Sequence, residues 1–263
     1  MSEENTIPKT SEERESRKRI LACAKSEFAE RGFGGARMAE IAHKAQVNKA
    51  LIHYYYKSKE LLYFEVIKNI FGYTDIEIPI PVPEYSGKLA LTPSQKLYVV
   101  LYFMANSHLK GADPETIKLF FWEIAEGEKY LNYFMEKYTA PRHIKLLNII
   151  REGVAAGEFE TEIPELSVAA IFSFITFYTI DIKLSGGQHK YFFETEIPDY
   201  NEVVRFMIVN AFKSLRPSGK PFKLPEVPAD FMTYVDTLLD ILIANKNEGI
   251  MGQIIGRVEE MIL

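Results

Sequence analysis

MAEIAHKAQVNKALIHYYYKSKELL, residues 38–62, carries two helical periods of apolar residues separated by a short break. Met38, Ile41, Ala42 and Ala45 recur at helical spacing, which predicts a helix over 38–45 with one buried face. Residues 46–48 make the turn. Asn48 suits the N-cap of the next helix, because its side-chain oxygen can accept from an otherwise unpaired backbone amide.

Placing the residues from Lys49 onward at 100° intervals divides that second helix into two arcs. Ile52 and Tyr56, with Leu51 and Tyr55, face inward; Lys49, Ala50, His53 and Tyr54 face outward. The outward arc combines a long cation, a small residue that permits close approach and two hydrogen-bonding rings. Such groups can reach base edges and phosphates in a major groove about 12 Å wide. An ordinary solvated helix face is the alternative that periodicity leaves open.

The same stretch resembles the DNA-binding signature of the tetracycline-repressor (TetR/AcrR) family of bacterial regulators. Ile41-Ala42, Ala45-Gln46-Val47, Ile52-His53-Tyr54-Tyr55-Tyr56 and Ser58-Lys59-Glu60-Leu61-Leu62 follow in the order and spacing of that signature. The likeness covers about residues 14–70. Gln46 stands where the family usually has a turn glycine, Ala50 and Leu51 take the places of its small residues, and His53 that of its first tyrosine. Arg37-Met38 occupies the place of a phosphate-contacting threonine. These differences fall on groups that would touch DNA, so no operator sequence carries over.

The resemblance implies an all-α protein: a helix-turn-helix head with its linking helix over 1–72, and a larger effector-binding and dimerisation body over 73–216. It implies phosphate contacts for Tyr54 and Lys59, the latter at a helix N-terminus where backbone amides also favour anions, with Arg37 supplying a charge in place of a hydroxyl. Lys49 and His53 are the candidates for base edges and Leu51 for a thymine methyl, with Asn48 and Ala50 on the same surface. Double-stranded operator DNA, a small apolar effector and a homodimer are the implied partners.

Bulk composition agrees with a soluble globular chain. The 263 residues are 47% hydrophobic and 25% charged, enough to bury a sizeable core. One cysteine, Cys23, cannot form an internal disulfide, so a reducing, cytoplasmic setting is expected. The first ten residues are polar rather than signal-like, and the apolar run over 169–180 falls short of the roughly 20 residues a membrane span needs. Residues 1–72 hold 13 basic against 10 acidic side chains while the whole chain is at −5, a basic end on an acidic remainder.

Elsewhere, a helix begins near Ser11, with Ile20, Leu21, Ala24 and Phe28 as its stripe, and stops at Arg31-Gly32. Residues 32–35, glycine-rich, lack the strand and spacing of a phosphate-cradling loop and read as a turn. A proline-rich segment over 72–94 separates head from body. Helices are predicted over 58–71, 95–109, 113–126, 128–156, 165–184 and 199–215, and a 217–263 extension adds two more, over 229–244 and 250–262.

Aromatic density in the body suggests an effector cavity lined by Tyr102, Phe103, Phe121, Trp122, Phe134 and Phe174, with a filled core as the alternative. Ile171, Ile175, Tyr178, Phe206 and Val209 resemble the family's dimerisation helices. His108, Asp113 and Glu115 lack a metal-ligand repeat, and no nucleophile, base and oxyanion-hole constellation can be assembled. No cofactor or metal is implied. The reading is a transcriptional repressor released from its operator by the effector. An all-helical enzyme using the aromatic cavity and an effector-independent architectural DNA-binding protein are its rivals.

Overall fold

The structure, a computed structural model, describes residues 11–70, 80–81, 90–127, 130–184, 199–245 and 249–262. Every secondary-structure element among them is helical. In chain order these are α1 (Ser11–Gly35), α2 (Met38–Lys44), α3 (Lys49–Tyr56), α4 (Lys59–Ile70), α5 (Pro93–Gly111) and α6 (Pro114–Ala125). Then come α7 (Leu131–Phe134), α8 (Ala140–Ala155), α9 (Pro164–Leu184), α10 (Tyr200–Ser214), α11 (Ala229–Ala244) and α12 (Met251–Ile262).

The chain forms two compact units, one holding α1–α4 with α6 and α7, the other holding α5 and α8–α12. The first unit also takes in residues 113–135, and the proline-rich segment read as the boundary lies mostly outside the described residues.

In the first unit α1 is the spine, packed by α2, α4 and α6. Ile20, Ala24 and Phe28, spaced four apart, are fully buried. Regular helix breaks at Gly32 (φ 65°, ψ 176°), where the sequence sets its stop, and a last turn carries on to Gly35. A Cβ at Gly32 would meet the Trp122 indole at 3.0 Å. Backbone conformation and close approach therefore both require glycine here. Asp113 caps α6 by accepting from the Thr116 amide and pairs with Lys25 of α1 at 2.8 Å.

In the second unit α5 is buried on two sides. Leu97, Leu101, Ala105 and Leu109, one per turn, enter a core with α8, α9 and α10. Val99 and Phe103 enter another with Phe231, Val235, Leu238 and Leu242 of α11 and Ile254 and Val258 of α12. The C-terminal extension thus packs on its own chain, and burying each large apolar side chain of α11 contributes on the order of 1.5–3 kcal/mol.

Two elements differ from the sequence reading. The helix expected over 128–156 is divided into α7, a π-helical turn over Met135–Thr139, and α8. Pro141 is the cause: it sits in the first turn of α8, where its missing amide does no harm, and a regular helix cannot run through it. The second concerns α9, a 21-residue helix long and apolar enough to cross a membrane by length and composition alone.

Candidate DNA-binding surface

The platform for α3 is assembled from α1 and α2 around a buried carboxylate. Glu27, 1% exposed, lies 2.8 Å from Lys44 Nζ at the end of α2 and 3.3 Å from Arg31 Nε. Burial opposes its ionisation, but the Lys44 ammonium, the Arg37 backbone amide and Arg31 outweigh this and hold its pKa below the ordinary value. The residue preceding α2, Arg37, has an exposed side chain.

Between α2 and α3 the chain turns through Gln46, at φ 54°, and the Val47 amide donates to the Ala42 carbonyl at 3.0 Å. Asn48 then caps α3, its Oδ1 accepting from the Leu51 amide at 2.7 Å. Ile52, Tyr55 and Tyr56 are buried. Tyr56 donates its hydroxyl to the Arg17 carbonyl at 3.3 Å, and burial pushes its pKa up to about 12. The Arg17 guanidinium lies over both the Tyr55 and Tyr56 rings, at 5.8 and 5.6 Å. Arg17 thereby fixes the inner side of α3 to α1, a role the sequence reading missed because cation–π contacts between distant residues leave no periodic signal.

Outward, the structure brings Lys49, Ala50, His53 and Tyr54 onto one exposed face, with Tyr54 54% exposed. Leu51 is half-buried at its edge. Lys59, at the start of α4, is half-buried too, its ammonium near the Gly34 carbonyl (3.4 Å) and over the Phe33 ring (4.8 Å).

A second unread feature joins α3 to α4. Lys57 has φ 60° and ψ −47°, and the Ser58 amide donates to the Tyr56 carbonyl at 2.6 Å. This is a positive-φ γ-turn, rare for a residue with a side chain and costing about 1–3 kcal/mol. Its geometry is supported locally. Lys57 Nζ donates to the Tyr54 carbonyl at 2.9 Å and lies over the Tyr54 ring, while His53 Nδ1 is 3.1 Å from the Lys57 carbonyl.

The six residues read as one effector pocket are divided between the two units. Phe121, Trp122 and Phe134 belong to the first unit, and Tyr102, Phe103 and Phe174 to the second. Phe134 is fully buried against Phe64, and the Trp122 indole donates to the Ala29 carbonyl at 3.2 Å. Phe103 is core, and the Tyr102 hydroxyl donates to Asp236 at 2.7 Å, whereas Phe174 is 38% exposed. Aromatic density here is mostly filled core, and helical spacing alone does not separate wall from core. A cleft of about 270 Å³ in the second unit lies among α5, α9 and α10, lined by Leu101, Phe174, Ile175, Met207, Ala211 and Ser214 among others. Only Phe174 of the six reaches it.

The five residues read as a dimerisation set differ in burial. Ile171 and Ile175 point into the core of their own unit, and Tyr178 and Val209 are half-buried. Phe206, the fifth, is 58% exposed and shares the apolar surface of α9 and α10 with Leu166, Phe174 and Phe177, at 62, 38 and 67% exposure. Helical periodicity does not separate the inner from the outer side of α9, because the helix is apolar around most of its circumference.

Residues 20–66 match the family described as "Bacterial regulatory proteins, tetR family". The chain is 29% identical over 147 residues to the HTH-type transcriptional repressor SCO4008 of Streptomyces coelicolor, covering 56% of this chain and 68% of that one. It is 31% identical over 115 residues to the HTH-type transcriptional regulator RutR of Escherichia coli, covering 44% and 50%. With the HTH-type transcriptional regulator HbdR of Aromatoleum it shares 35% over 143 residues, 50% of this chain and 58% of the relative. The chain therefore spans about half to two-thirds of the length of these relatives. Among solved structures, a linker-substituted mutant of HlyIIR superposes with a TM-score of 0.53 at 25% identity, covering 77% of this chain and 98% of that one. A tetR-family regulatory protein from Rhodococcus RHA1 gives 0.53 at 19% identity, covering 76% and 97%.

Proposed function

The chain belongs to the tetR family of bacterial regulatory proteins and is a DNA-binding transcriptional regulator, and from that premise we propose that it is a cytoplasmic homodimeric repressor released from operator DNA by a small apolar effector. The observation that carries the DNA half of this reading is the exposed arc of α3, where Lys49, His53 and Tyr54 stand together over a buried tyrosine pair. Lys49 and His53 reach base edges. Arg37, Tyr54 and Lys59 contact phosphates, Lys59 by turning away from the Gly34 carbonyl, a weak bond at 3.4 Å that a phosphate outcompetes.

The dimer half rests on the outward side of α9 and α10. Apolar side chains of this size are not left in water on a finished surface, and two copies of the face make a four-helix bundle related by a two-fold axis. Such a dimer addresses the two halves of a palindrome. A membrane-spanning role for α9 is disfavoured by its inner side, where Val168, Ile171 and Ile175 are built into the core with α5, α8 and α10. The cleft beneath the same two helices is the candidate effector site. An effector bound there changes operator affinity by preferring one of two arrangements, with a coupling of about 1–3 kcal/mol.

Selection of duplexes from a randomised DNA pool by the full-length protein tests the reading. Salt-titrated binding of the enriched duplex is expected to show that Lys49→Ala lowers specific more than non-specific affinity. Lys59→Ala is expected to weaken both and to reduce the salt slope by about one. Indistinguishable behaviour of the two variants would remove the assignment. A thermal-shift screen against metabolites, followed by DNA release, tests the effector.

A further inference from the structure

The exposed ring of His53 is tied from one side. Its Nδ1 lies 3.1 Å from the Lys57 carbonyl oxygen. A carbonyl only accepts, so Nδ1 carries the proton, and in a neutral imidazole Nε2 is then left as a lone-pair acceptor. The carbonyl that sets this tautomer is itself held in place. Lys57 sits at the centre of the γ-turn closed by the Ser58 amide and the Tyr56 carbonyl, and its ammonium is bonded to the Tyr54 carbonyl. The strained junction between α3 and α4 thus presents a defined hydrogen-bonding edge on the outward face of α3.

Resting on the reading of α3 as the recognition helix, we propose that His53 reads DNA as an acceptor, its Nε2 taking a hydrogen bond from the exocyclic amine of adenine (N6) or cytosine (N4). In the major groove those amines are the donors, whereas guanine O6 and N7 and thymine O4 are acceptors that leave the Nε2 lone pair unpaired. Lys49, one turn earlier on the same face, has only donors to offer. The two positions therefore select opposite base edges, and the backbone of Lys57 determines which edge His53 selects.

Two measurements on the full-length chain test this. Long-range 1H–15N correlation with labelled histidine, assigned by the signal lost in His53→Gln, is expected to show a protonated Nδ1 and an unprotonated Nε2. The reverse tautomer would overturn the proposal. In the second, the duplex enriched from a randomised pool is resynthesised with purine in place of each adenine, or pyrimidin-2-one in place of each cytosine, removing one amine at a time. One position per half-site is expected to lose about 3- to 10-fold in affinity for the wild type and nothing further for His53→Ala, an exposed position whose truncation removes no core contact. Lys49→Ala is expected to keep that dependence. Enrichment without any amine coupled to His53 overturns the inference alone, whereas no enriched sequence at all overturns the recognition-helix reading and the inference with it.

Discussion

Helices α3 and α9 are both dense in aromatic and branched side chains, yet they present opposite surfaces. In α3, Ile52, Tyr55 and Tyr56 turn inward and Lys49, His53 and Tyr54 outward. In α9, Ile171, Ile175 and Ile182 turn inward, but the outward side carries Leu166, Phe174 and Phe177. An outward face of hydrogen-bonding groups is content in water and ready for a polyanion. An outward face with Phe177 67% exposed is the apolar surface that the proposed dimer would cover. Aromatic content is shared by the two helices. The chemistry of the outer arc is what separates a nucleic-acid face from a protein face.

The largest expected effects divide α9 by side. Ile175→Ala leaves a cavity in the core of the second unit and should cost about 2–5 kcal/mol of unfolding free energy. Phe177→Ala should change the unfolding of the isolated subunit by less than about 0.5 kcal/mol. The same truncation should weaken self-association by about 2 kcal/mol, roughly 30-fold. Urea unfolding at low protein concentration, beside sedimentation across a dilution series, reads the two quantities separately. Equal effects of both variants on both readouts would break the assignment of inner and outer sides.

A second contrast lies in what supports each helix. The inner side of α9 rests on apolar packing, whereas the platform beneath α3 includes the buried Glu27 carboxylate paired with Lys44. Lys44→Met leaves that carboxylate without its closest partner and should cost about 2 kcal/mol. The pH dependence has a defined sign. The pKa of Glu27 in the folded chain is lowered, so its contribution is complete above the unfolded value of about 4.3. It is lost as pH falls through the lower, folded value. Amide exchange in α2 and α3 should therefore accelerate on acidification before that in α9, and Glu27→Gln should flatten the difference. Simultaneous loosening of both regions in the wild type would show that Glu27 does not set the acid limit of the head.

How much of this was legible beforehand follows the same contrast. The two arcs of α3 could be read because buried and exposed residues there differ in kind, and the cap at Asn48 because capping needs a short polar side chain at one position. In α9 both arcs are apolar, so periodicity could not tell the buried Ile175 from the exposed Phe177. The aromatic residues read as an effector pocket meet a related limit. Phe103 and Phe134 fill cores that only tertiary packing defines, and Trp122 is committed to Ala29, 93 positions away. The γ-turn at Lys57 was invisible because nothing in Tyr-Lys-Ser marks positive φ. Glycine or asparagine would have marked it.

The smallest expected effect concerns the other non-glycine residue with positive φ among the described residues, Gln46. Gln46 holds φ 54° in the turn between α2 and α3, a conformation in which its Cβ crowds the backbone and which glycine adopts freely. Gln46→Gly removes that strain, but it also frees the unfolded chain, and the entropy lost on folding offsets part of the gain. The Gln46 side chain is exposed, so no packing is lost. The balance should favour the glycine variant by about 0.5 kcal/mol, on the order of a degree or two in Tm. Because the substitution leaves Asn48 capping α3 and alters no residue of the outward arc, sequence preference on DNA should not change. A destabilised glycine variant would mean that the turn is held by Gln46 itself. A stable variant with altered base preference would mean that the angle between α2 and α3, and not only the outer arc of α3, takes part in reading the operator.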